Sequence, residues 1–221
     1  MITSNIEGRK ELEKIIVKNI PRDAFMAFED AYRDGDSKGR EHSKIFAKGH
    51  RPSAAGHNKH FFINETFQEA LLAHGASPMP LRGTKLVVGR LGIFNIARLN
   101  VAGHKWTNLR SRGTRATLAE LNDNISRKFV QGDLFAMSSK VADGTIFILG
   151  IMDGIDANGM SQITQVMVAL PAPDMKSWLY LSTMADFQKL YDQPDSAAQL
   201  DKATPKLKAQ PKKQKDDDKR N

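Results

Sequence analysis

Residues 145–170 read TIFILGIMDGIDANGMSQITQVMVAL, and this stretch decides the fold. Two β-branched, apolar runs, TIFILGIM at 145–152 and QITQVMVAL at 162–170, flank DGIDANGMS, whose Asp, Asn and Gly residues suit a turn. The expected element is an antiparallel strand pair. Upstream, TKLVVGRLGIFNIARLNV at 84–101 predicts a second hairpin with breaks at Gly89 and Gly92. Downstream, WLYL at 178–181 predicts a further short strand, and residues 184–191 a closing helix.

Between the two hairpins, Leu118, Leu121, Ile125 and Phe129 form a stripe at helical spacing after Thr114, a residue suited to an N-cap. One amphipathic helix is expected over 115–130. Near the N-terminus, Ile6, Leu12, Ile15, Ile16 and Ile20 predict a first helix, and Pro21 starts a second. The second places Ala24, Phe25, Phe28 and Tyr32 on one side and is expected to end near residue 33, before Gly35. Residues 36–60, rich in Gly, Ser, Lys and His, predict a loop around one short helical turn; residues 61–74 predict a helix that Gly75, Pro78 and Pro80 stop.

Strand groups flanking a helix predict an α+β fold and disfavour a doubly wound parallel one. The expected architecture is N-terminal helices, a mixed or antiparallel sheet of about five strands with a central amphipathic helix, and a disordered basic C-terminal tail. The expected division is an N-terminal helical region with a basic, His-rich loop at 1–60, an α+β core at 61–193 and the tail at 194–221. That tail is predicted from the loss of apolar pattern and from seven Lys and one Arg against three Asp over residues 202–221.

Charge is distributed unevenly. Residues 70–119 contain no Asp or Glu, and residues 42–119 carry twelve Lys and Arg against Glu65 and Glu69 alone. Such asymmetry points to a polyanionic partner, DNA or RNA first, with phosphorylated metabolites or an acidic protein as the other candidates. The segment GHKWTNLRSRGTR at 103–115 is the leading binding patch. There Lys105, Arg110, Arg112 and Arg115 suit phosphates, Trp106 suits base stacking and Asn108 suits a base edge. The plainer reading puts Trp106 in the core and leaves the arginines as solvated cations.

His42, His50, His57 and His60 fall within nineteen residues. Their spacing matches no zinc motif, so no metal site is expected. A second reading uses His57 and His60 as acid and base of a metal-independent endoribonuclease, with Lys59 or Arg51 stabilising the charged intermediate. The chain has no cysteine, which removes disulfides, thiolate metal sites and cysteine nucleophiles. No P-loop, dinucleotide-binding glycine motif or nucleophile elbow occurs, so no cofactor is expected and binding is favoured over catalysis. A third reading is a protein-interaction subunit that meets an acidic partner. No run approaches the length needed to cross a bilayer, so no membrane association and a cytoplasmic location are expected.

Overall fold

The computed structural model describes residues 6–83, 85–103, 113–131 and 143–192. Helix α1 (Ile6–Asn19) buries Leu12 and Ile16. Pro21 then adopts an extended conformation ahead of α2 (Arg22–Ser43), where its missing N–H leaves no helical bond unmade. Helix α3 (Arg51–Ala73) follows a short 3₁₀ turn (Lys48–His50).

The long loop expected at 36–60 is thus mostly helix, and the reason lies in the glycines. Gly35 and Gly39 do not end α2; they are its contact face toward α3. A Cβ on Gly35 would stand 2.6 Å from Ile63 Cγ1, and one on Gly39 would stand 2.6 Å from the Lys59 Cα. Removing two side chains lets the helix backbones approach closely, and the packing gained outweighs glycine's poor helix propensity. Pro52 sits in the first turn of α3, where it costs no hydrogen bond. Residue 60, the expected end of the N-terminal region, lies within α3. Ile63 and Phe67 of that helix share one apolar cluster with Phe25 and Phe28 of α2.

The sheet has five strands in the order β1-β2-β3-β4-β5. They are β1 (Val88–Leu91), β2 (Phe94–Ala102), β3 (Gly144–Ile155), β4 (Ser161–Pro171) and β5 (Trp178–Thr183). The expected hairpins form: β1 and β2 are antiparallel around Gly92, whose φ of 56° only glycine adopts cheaply, and β3, β4 and β5 make an antiparallel meander. The central β2–β3 pair is parallel, so the sheet is mixed. A parallel pair requires a crossover, here residues 103–143.

Both faces of the sheet are covered. Ile96, Ile146, Ile148 and Val168 pack with helices α1 to α3, whereas Leu99, Phe147, Leu149 and Trp178 belong to a second cluster on the opposite face. This explains why TIFILGIM is apolar without alternation.

The single helix expected over 115–130 is interrupted. It is observed as α4 (Gly113–Glu120), α5 (Asp123–Ser126) and a π-helical turn (Arg127–Gln131). Its stripe serves two cores: Leu118 and Ala119 pack on the second cluster, Ile125 and Phe129 on the first, and Leu121 between them is exposed. At the break, the buried Asn122 side chain donates to the carbonyls of Thr145 and Pro171 at 3.1 and 2.9 Å and accepts from the Thr145 amide. The closing helix appears as α6 (Met184–Gln188), capped by Thr183 and continued by a 3₁₀ turn (Lys189–Asp192). The basic tail predicted at 194–221 lies outside the described residues. Among the described residues, no helix is long and apolar enough to cross a membrane.

Candidate functional site

Strand β1 pairs with only the first half of β2, from Phe94 to Ala97. Pro78 and Pro80, which lack the donor a strand ladder needs, precede β1. Beside the second half of β2 lies a cavity of ≈ 810 Å³. Its lining comes from His60 and Asn64 of α3, residues 79, 80, 82, 85 and 86 ahead of β1, Val88 of β1, residues 98–100 of β2, and Thr114 and Arg115 of α4. Arg82, Lys85, Arg98, Arg115 and His60 line it, and no carboxylate does among the described residues.

Arg98 forms the floor. It occupies an apolar-type position on β2, pointing to the same side as Ile96, and is 2% exposed. Its Nε donates to Asn64 Oδ1 at 2.7 Å, its Nη1 to Asn100 Oδ1 at 3.0 Å, and its Nη2 to Asn64 Oδ1 at 2.5 Å and the His60 carbonyl at 2.8 Å. Every one of these acceptors is neutral. Burial lowers the guanidinium's pKa, but arginine starts so far above neutrality that it stays charged. Placing a cation in a low-dielectric interior without a counter-charge is costly, and such charges are ordinarily paired. Arg98 therefore brings to the cavity lining a positive charge that no carboxylate pairs with among the described residues.

The neighbouring Tyr32 hydroxyl lies 3.0 Å from the Leu99 carbonyl and 2.6 Å from that of Ile148, sharing its proton between adjacent strands. Burial raises its pKa, so it stays protonated and adds no negative charge beside Arg98.

His60 stands with both ring nitrogens facing donors. Its Nδ1 is 3.1 Å from Arg98 Nη2 and its Nε2 is 3.3 Å from the Asn64 amide nitrogen. A neutral imidazole has one acceptor nitrogen, and the shorter contact assigns that role to Nδ1. His57, one turn earlier on α3, is exposed, as are His42 and His50. The four histidines are spread over the end of α2, the 3₁₀ turn and the first half of α3. Among the described residues, no group of three or more His, Cys, Asp or Glu side chains is placed to hold a metal ion.

The structure sorts the cations that the sequence presents as one block. Lys44 pairs with Glu41, Arg90 with Asp143 at 2.6 Å, and Arg51 donates to the Phe46 carbonyl. Lys59 is buried and belongs to a network that sequence reasoning missed. Its ammonium donates to the carbonyl of Ser161 and, at 2.8 Å, to its hydroxyl, and it lies 3.3 Å from Asp36 Oδ1. Asp36 also pairs with Arg40, which reaches Asp156 at 3.4 Å. Desolvation pulls the Lys59 pKa down while Asp36 opposes it, and the Met160 amide first of all holds the Asp156 carboxyl below its ordinary value. The network ties α2 and α3 to the β3–β4 turn. Of the turn expected at DGIDANGMS, residues 153–155 instead continue β3, and the turn itself spans 156–160, with Gly159 at a φ of 76°.

Arg82 and Lys85 make no ion pair among the described residues, and with Arg98 and Arg115 they gather at the cavity. Of the expected nucleic-acid contacts, Arg115 is placed there. Lys105, Trp106, Asn108, Arg110 and Arg112 lie outside the described residues. Asn64, Asn100 and Arg98 were not singled out from sequence, although an arginine between the apolar residues of a strand is the available signal. No protein-family model, curated protein or solved structure matches the chain.

Proposed function

We propose that this chain is a non-enzymatic nucleic-acid-binding protein that takes a strand into the cleft beside β2. The observation that carries the reading is the cavity lined by Arg82, Lys85, Arg98 and Arg115, with no carboxylate among its described lining residues. Phosphates complement such a surface, and arginine adds a planar donor fork that matches phosphate oxygens. The apolar wall of Leu86, Val88 and Leu99 offers contact area for a base. A single strand suits a recess better than a duplex, whose phosphates lie on a convex cylinder.

Arg112, Arg110, Lys105 and Trp106 are adjacent in sequence to the cleft residues Thr114 and Arg115, and they remain proposed contacts of the same strand. Binding measured by fluorescence anisotropy across a salt series, for single-stranded DNA, single-stranded RNA and duplex, tests the reading. The expected result is salt-sensitive binding to single strands that weakens in an Arg82→Ala/Arg115→Ala variant and persists in a chain ending at Gln193. Absence of binding at low salt removes it.

A further inference from the structure

We infer that the recess above Arg98 binds a nucleoside phosphomonoester, presented either as the terminal nucleotide of a strand or as a free mononucleotide. The inference rests on the strand-binding reading for its first source and names the chemical group that the cleft selects.

The cavity, at ≈ 810 Å³, falls in the range of sites that enclose one small ligand. Its lining is two-sided. Leu86 and Leu99 supply apolar surface of the kind a base covers, while Arg82, Lys85 and Arg115 supply cations for a phosphate. Beneath them Arg98 is 2% exposed and held by the side-chain carbonyls of Asn64 and Asn100 and the backbone carbonyl of His60, and no carboxylate pairs with it among the described residues. An internal phosphodiester brings one negative charge and carries chain on both sides. A phosphomonoester brings about −1.5 to −2 at neutral pH and carries chain on one side only. A recess of this volume with four cations in its lining fits the second.

The test uses the full chain and one oligonucleotide sequence prepared with a 5′-phosphate, with a 3′-phosphate, with hydroxyls at both ends, and as a circle, plus the corresponding nucleoside monophosphate as competitor. Expected is roughly tenfold or greater tightening by a phosphate at one end, the size of one additional charge-assisted contact. That preference should disappear in Arg82→Ala/Lys85→Ala, whose side chains are exposed and do not hold the fold, and shrink in Arg98→Lys, which keeps the charge but loses the fork. Competition by the monophosphate with no binding of any strand identifies the free nucleotide as the source and removes the strand reading. Equal affinity for all four strands overturns the inference while leaving strand binding intact. An end preference unchanged in both variants overturns the assignment to this recess. No binding of strands or nucleotide overturns both.

Discussion

Asn122 Oδ1 accepts a hydrogen bond from the Thr145 amide at 2.6 Å, so the residue that interrupts the crossover helix also occupies the ladder position where β3 begins. The same side chain donates to two carbonyls, and all three groups are buried. Asn122→Ala leaves them without partners, and a buried unsatisfied group costs about 1–3 kcal/mol. The expected loss is about 3 kcal/mol, read as a shift in the urea midpoint. Asn122→Asp, which keeps the acceptor and loses both donors, should recover only part of it.

Gly35→Ala and Gly56→Ala should move stability in opposite directions, although both glycines are helical. A Cβ at 35 meets the backbone and side chain of Ile63, and overpacking of this kind costs about 1–3 kcal/mol. A Cβ at 56 meets nothing within 4 Å, so alanine should stabilise by about 0.5–1 kcal/mol through helix propensity. Thermal or chemical denaturation of the two variants decides it; destabilisation by both would contradict the close α2–α3 contact.

All three tyrosines of the chain are held in the protonated form by burial: Tyr180 is pushed up to about 12, and Tyr32 and Tyr191 are raised further. A raised folded pKa means that the native state keeps its proton where the unfolded chain, titrating near pH 10, releases it. Stability from these groups is fully present below about pH 10 and is lost as the pH rises toward 12. The native protein should therefore show no tyrosinate absorbance transition at about pH 10, and the transition should return there in denaturant. A normal native titration would contradict the burial of these side chains.

Cations that look equivalent in sequence should differ in binding. Arg82→Ala should lower the slope of log affinity against log salt by about one, the loss of one phosphate contact. Arg90→Ala should leave the slope unchanged, because Arg90 is exposed and already paired with Asp143.

Labelled RNA incubated with the protein in EDTA should remain intact. The Nδ1 of His60 accepts from Arg98 and is not free to take a substrate proton, and His57 faces solvent one turn away. Cleavage abolished by His57→Ala would restore the ribonuclease reading.

Strand pairing was legible because TIFILGIM, QITQVMVAL and the Gly92 hairpin carry period and turn signals within a few residues of one another. The N-terminal helices were legible only in part. Gly35, Gly39 and Pro52 are breakers by local propensity, and only their partners on the facing helix, Ile63 and Lys59, turn two of them into contacts. The Leu118 to Phe129 stripe has the right spacing for one helix, yet its halves belong to cores on opposite sides of a sheet, which no local window contains. The site followed the same pattern. The excess of positive charge was plain, but which cations meet a carboxylate depends on contacts such as Arg90 with Asp143 and Lys59 with Asp36, distant in sequence.

The parallel β2–β3 pair also sets an order of assembly. The β1–β2 hairpin and the β3–β4–β5 meander are local and can nucleate separately, whereas joining Phe94 to Gly144 and Arg98 to Ile148 requires closing the whole crossover. The step with the largest loop-closure entropy is therefore expected last, and it is the step that brings α4 and Arg115 to the floor built by Arg98. Ligand affinity would then appear only on the slowest refolding phase, after most of the backbone ladders are already protected from exchange.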